Sequence, residues 1–261
     1  MRTAATVGRR TLLVFALPAT LFVIWWLATE RSQNFYLPPL RTILSRFGPV
    51  WTPERLRADV LPRGLRLAGG YGLAAATAVA LGLVIGSYRL VRAATEPVLE
   101  FFRAVPPPVL VPVIMLFAGI GDTMKVIVIA SGCVWPVLLN TVEGVRAVDL
   151  VLVDTARSYR ITGWRRLWHL VLPSAGPQIV TGMRQSLSIG IILMVISEMF
   201  AASNGLGFAI LGFQRSFAIP DMWTGILLLG LLGFGTSLLF TVVERWALTW
   251  YHGLRRARRR S

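Results

Sequence analysis

The chain has 261 residues, 55% hydrophobic and 15% charged, with a formal net charge of +15. Soluble domains carry about 25% charged residues, and several apolar runs here reach the roughly 20 residues that cross a bilayer. A soluble domain is therefore excluded, and an all-α, multi-pass membrane protein is expected. The charge is arginine, Lys125 being the only lysine; in such a protein it marks cytoplasmic loops and anionic headgroups rather than nucleic acid.

Residues 1–10 are basic, with Arg2, Arg9 and Arg10, and an apolar run follows over 12–28. The run is long for a signal core, ends in Trp25-Trp26 and lacks a small-x-small cleavage site, so it reads as a retained first span rather than a cleaved signal. In the polar stretch 31–64, Leu40, Ile43, Leu44 and Phe47 recur at helical spacing with Arg41 and Arg46 off the stripe. That pattern predicts an amphipathic helix, lying on the membrane surface or packed on the protein's own flank.

A second span is expected over 65–87, where Gly82 and Gly86 stand four apart; small residues at that spacing let helices approach closely in lipid. The third, 96–118, is interrupted by Pro106, Pro107, Pro108 and Pro112. Helix breaks at membrane depth need neighbouring protein or a water-filled cavity, which predicts an interior position. A fourth span covers 124–140, a basic loop 141–176, a fifth span 178–201 and a sixth 222–246. The glycine-rich connection before the sixth is a candidate re-entrant segment. The organisation expected is an N-terminal segment 1–64, a six-helix core 65–246 and a basic tail 247–261. Both basic termini are expected in the cytoplasm, although the arginines of 31–64 then fall outside, against the positive-inside rule.

Catalytic and metal signatures are missing. Lys125 follows GIGDTM, which does not fit a phosphate loop; His169 and His252 have no partner at ligand spacing; and the single Cys133 allows no internal disulfide. No cofactor and no enzymatic activity are expected. Arg184 and Glu198 lie within the fifth span, and an ionisable residue there is a functional candidate by default. They stand 14 residues apart, about 21 Å along a helix, so they do not pair with each other. Each is a candidate for the solute pathway or a gate, or for pairing with another helix.

The segment 154–173, DTARSYRITGWRRLWHLVLP, resembles in its spacing the cytoplasmic loop of ATP-binding-cassette importer permeases. Asp154, Thr155 and Ala156 occupy the Glu-Ala-Ala positions, Arg160 the following Gly, and Leu170, Leu172 and Pro173 the closing Ile-x-Leu-Pro. Arg160 departs from the pattern, which suggests a loop that does not need glycine's backbone freedom; Gly163 is the alternative place for the turn. Two further blocks are similar to sulfonate, taurine and nitrate importer permeases. One is GMRQSLSIGIILMVISEMF with NGLGF beyond it; the other is RAVPPPVLVPVIMLFAGIGDTMKV.

The resemblance implies the pore subunit of an importer that forms a homodimer. ATP is then bound by separate cytoplasmic ATPase subunits, which dock on the loop through Asp154, Thr155, Ala156, Arg157, Arg160, Gly163, Leu172 and Pro173. An extracytoplasmic binding protein delivers the solute, a small anion such as a sulfonate, taurine or nitrate. The alternatives are a secondary transporter or channel, which needs paired intramembrane charges, and a membrane-embedded enzyme of lipid metabolism, which needs a catalytic cluster.

Overall fold

In the computed structural model every described element is helical. The structure describes residues 2–200, 202 and 204–251, with side chains from residue 16 onward. The basic side chains of Arg2, Arg9 and Arg10, His252 and the rest of the basic tail lie outside the described residues.

The elements are α1 (Arg2–Thr29), α2 (Leu40–Val50), α3 (Pro53–Ser87), α4 (Arg89–Ala104), α5 (Leu110–Ala118), α6 (Asp122–Arg146), α7 (Leu150–Ser158), α8 (Gly163–Arg166), α9 (Leu172–Phe200), α10 (Leu206–Arg215) and α11 (Ile219–Ala247). A 3-10 turn, Pro107–Val109, precedes α5, and a π turn, Leu167–Val171, joins α8 to α9. Four stretches are long and apolar enough to cross a membrane: Pro53–Ser87, Asp122–Arg146, Gly163–Phe200 and Ile219–Ala247. The pair Arg89–Ala104 and Pro107–Ala118, bent by 74°, makes a fifth if counted as one broken span. The expected first span appears as a shorter apolar helix, Ala16–Thr29. The described residues thus give four or five spans where six were expected.

The chain divides into two units. The first comprises residues 1–57 and 209–229. Here the sequence periodicity of α2 becomes packing: Leu40 and Ile43 are buried, whereas Leu44 is exposed. The Arg46 guanidinium grips Asp221 with two hydrogen bonds, Nε to Oδ1 at 2.8 Å and Nη2 to Oδ2 at 2.9 Å. These bonds, and then the carboxylate's charge, hold Arg46 above the ordinary guanidinium pKa. Trp51 Nε1 donates to Thr224 Oγ1 at 2.9 Å, and Arg55 lies 4.9 Å from the Trp51 ring centroid. Of the two readings of α2, packing on the protein's own flank accounts for these contacts.

The second unit comprises residues 58–208 and 230–261. Its centre is the packing of α6 against α9, with α3 against both. Small residues make this possible. A Cβ added at Gly82 would lie 2.6 Å from Thr141 Cβ, and one at Gly182 would lie 2.7 Å from the Pro136 carbonyl oxygen. Side chains at either position would force the helices apart, and close backbone approach is what associates helices in lipid. Gly86 meets Val145 in the same way, as the four-residue spacing predicted. The helix that carries the second span begins at Pro53, so the boundary drawn at 64/65 falls inside α3.

The third span corrects the sequence reading. No residue of α4 is buried and only Val111 of α5 is, so within one chain it is a surface element rather than an interior one. The break does not require burial, because its backbone groups are met locally. Val105 N–H donates to the Phe102 carbonyl and Val109 N–H to that of Pro106, while the prolines between have no N–H to satisfy. Pro112 lies in the first turn of α5, where a missing N–H costs no helical bond, and it makes no break.

Candidate coupling surface and buried ion-pair cluster

The loop after α6 is mostly helical. Asp149 caps α7 by accepting a hydrogen bond from the Val151 N–H at 2.9 Å. Val153 and Ala156 turn inward and are buried, while Asp154, Thr155 and Arg157 point outward. Ala156 therefore packs on the inner side of the helix, opposite the exposed Asp154, Thr155 and Arg157. Asp154 and Arg157 pair with each other at 3.1 Å, each more than two-thirds exposed. Such a pair contributes little to stability.

The end of α7 explains the Gly position of the motif. The Arg160 N–H bonds to the Arg157 carbonyl at 2.9 Å and the Ile161 N–H to the Ala156 carbonyl at 2.8 Å. These are the two bonds of a Schellman cap, whose C′ residue is left-handed. Arg160 is that residue, at φ 54°, and Gly163 follows at φ 56°. The expectation that arginine here signals no need for backbone freedom is thus overturned. The turn demands a positive φ at Arg160, and Gly163 makes a second left-handed turn rather than replacing the first.

Leu172 and Pro173 close the loop at the start of α9, and the π turn before them has a physical cause. Proline has no N–H, and its ring crowds the carbonyl four residues back, here that of His169. The wider turn relieves this, with the Leu172 N–H bonded to the Leu167 carbonyl. The two residues terminate the motif and aim it; Leu172 and Pro173 are themselves half-buried.

At the far end of α9, Glu198 is completely buried. Its Oε2 accepts a hydrogen bond from the Gly207 N–H at 2.9 Å and lies 3.7 Å from Arg63 Nη1. Arg66 lies 2.8 Å from Asp122, reaches Asn204 Oδ1 at 3.4 Å, and Lys125 lies 3.9 Å from Asp122. Asp59 accepts from the Gly205 N–H at 3.0 Å. Arg63, Arg66 and Lys125 are all nearly inaccessible to solvent. The Gly-x-Gly of the sequence is a consequence. A Cβ on Gly205, at φ 109°, would lie 2.6 Å from Glu198 Cδ, and one on Gly207 would lie 2.9 Å from Glu198 Cβ.

Arg184 and Glu198 do not meet. Arg184 bonds to Glu244 on α11 and lies 3.5 Å from Thr241 Oγ1. Sequence reasoning missed Arg63, Arg66, Asp122 and Lys125 as members of one cluster. The legible signal was Arg63 and Arg66 at i and i+3, one face of a helix entering an apolar run. Among the described residues no group of His, Cys, Asp and Glu could hold a metal ion.

The model of a family described as binding-protein-dependent transport system inner membrane component matches residues 78–248. The chain is 28% identical to the taurine transport system permease protein of Escherichia coli strain K12, over 94% of this chain and 92% of that one. It is also 28% identical to an aliphatic sulfonates transport permease protein, itself a provisional assignment, of Bacillus subtilis strain 168, over 90% and 86%. The bicarbonate transport system permease protein of Synechococcus elongatus is again 28% identical, over 87% and 86%. Among solved structures, the methionine ABC transporter in inward-facing conformations superimposes with a TM-score of 0.58 at 18% identity, over 74% of this chain and 95% of that one, a likeness of fold. With the family matched from within α3 to the end of α11 and relatives aligned over nearly their full lengths, this chain belongs to the binding-protein-dependent inner-membrane components and is a multi-pass permease subunit of an ABC importer.

Proposed function

We propose that two copies of this chain form the pathway for a small oxyanion of the sulfonate, taurine or nitrate kind. A cytoplasmic ATPase docks on α7 and the turn from Arg160 to Gly163 of each copy, and an extracytoplasmic binding protein delivers the solute. The outer face of α7 carries the docking assignment. Leu150, Val151 and Tyr159 are each more than two-thirds exposed, alongside Asp154, Thr155 and Arg157, on a short helix too polar to lie in lipid. Exposed apolar side chains rimmed by charge mark a surface for a protein partner.

The relatives support the solute class: those named for taurine, aliphatic sulfonates and bicarbonate all handle molecules bearing an oxyanion. The pathway assignment rests on α9. Ser174, Gln178, Thr181, Gln185 and Ser188 are exposed and fall on one helical stripe of a membrane span. Lipid is a poor neighbour for such a stripe, whereas a water-filled path between two copies suits it. Asn140 of α6 joins it, donating to Gln185 Oε1 at 3.2 Å and accepting from Gln178 Nε2 at 3.3 Å. Arg184 borders this stripe with its charge matched by Glu244. Glu198 acts from within, holding the turn before α10 rather than touching solute. Both termini lie in the cytoplasm, the side favoured by the arginines near each of them.

The test is reconstitution in proteoliposomes with the ATPase and binding protein, measuring uptake of labelled sulfonate, taurine, nitrate and bicarbonate. Uptake should require ATP inside the vesicle compartment that holds the ATPase. A Val151→Glu, Tyr159→Glu double variant should be produced normally yet fail to bind the ATPase. Uptake driven by an ion gradient without the ATPase would establish a secondary transporter instead.

A further inference from the structure

A groove on the second unit is lined by none of the residues assigned above to the solute path or to the outer face of α7. Its inner section, about 590 Å³, runs over Ala76, Ala80 and Leu83 of α3 and is walled by Trp164, Trp168 and Met183. No charged side chain lines it. Through Leu83, Val84, Trp164 and Leu167 it continues into a second section of about 410 Å³, bordered by Ser87, Tyr88 and Arg166. The groove is thus apolar along its length and polar at one end.

The polar end is also cationic. Arg165 and Arg166 are exposed and have no ion-pair partner among the described residues. Arg89 follows at the end of α3. Trp164 and Trp168 meet edge to face at 5.6 Å and are 70% and 50% exposed. Tryptophan and tyrosine concentrate at the headgroup level of membranes, and a guanidinium is suited to phosphate. The arrangement therefore complements an amphiphile with one anionic end.

We propose that this groove binds an anionic phospholipid, with an acyl chain over Ala76 and Ala80 and the phosphodiester at Arg166, flanked by Trp164 and Tyr88. The site lies beside α7, so an occupied groove would brace α8 and the π turn against α3 from the membrane side.

The full chain in detergent, titrated with phosphatidylglycerol or phosphatidylcholine of identical acyl chains and read by native mass spectrometry, tests this. Phosphatidylglycerol should be retained at about fivefold lower concentration for each arginine engaged. Arg166→Ala should bring it close to the phosphatidylcholine level. Ala80→Phe fills the apolar section and should weaken both lipids alike; Ala80 and Arg166 are exposed, so neither change threatens the core. Equal retention of the two lipids by the parent would overturn the proposal, as would an undiminished preference in the Arg166→Ala variant. An Ala80→Cys variant checks for a protein occupant, since the native Cys133 is buried. In membranes the new thiol should react with a lipid-soluble maleimide whether or not the ATPase is bound. A disulfide-linked dimer, or protection by the ATPase, would show that protein covers the groove and would refute the lipid assignment.

Discussion

Replacing Arg160 with glycine should make the loop after α7 more ordered. Arg160 sits at φ 54° as the C′ residue of the α7 cap. A left-handed conformation costs an ordinary L-residue about 1–2 kcal/mol. Glycine removes that cost but gives the unfolded chain extra freedom worth about 0.5–1 kcal/mol. The net gain is about 0.5–1 kcal/mol, which is roughly two- to fivefold in local opening. Amide hydrogen exchange of residues 156–163 reads it directly, because the Arg160 and Ile161 amides are the donors of the cap. Asparagine tolerates the left-handed region and should fall between glycine and arginine, whereas Arg160→Val should exchange faster than the parent. Exchange unchanged or faster with glycine, or slower with valine, would refute the assignment of Arg160 to the strained cap. ATPase binding by the same variants separates this from any role of the guanidinium. An ordered Arg160→Gly loop that binds weakly would show that the side chain itself touches the partner.

Glu198→Ala should destabilise the protein by about 3–5 kcal/mol in a detergent unfolding titration, since Arg63 would be left buried without its counter-charge; a Glu198→Leu, Arg63→Leu pair should recover much of the loss. Gly205→Ala should also be costly, because its Cβ would lie 2.6 Å from Glu198 Cδ at φ 109°, whereas Gly212→Ala, with nothing within 4 Å, should be neutral or stabilising by up to about 1 kcal/mol. Gly82→Leu should lower the melting temperature and disrupt the α3–α6 contact, while Gly72→Leu, whose Cβ meets nothing within 4 Å, should not.

Much of the class of this protein is written in the sequence because it depends on composition and local spacing. The bilayer requires long apolar helices, so the spans over 65–87, 124–140, 178–201 and 222–246 were legible, although their helices extend further at several ends. The Asp154–Pro173 register was legible because a helix cap, a left-handed residue and a proline act within a few positions of one another. What that register meant was decided by backbone geometry: Ala156 faces inward, and Arg160 adopts the conformation its side chain disfavours. The α2 stripe announced a helix but not its neighbour, since an apolar face does not say whether lipid or protein covers it. Asp221 and Thr224, 175 and 173 positions away from Arg46 and Trp51, supplied the answer. The buried cluster is the clearest case of tertiary decision. Arg63 and Arg66 on α3 are far in sequence from their carboxylate partners Glu198 and Asp122, and only the packing of α3, α6 and α9 brings these opposite charges together.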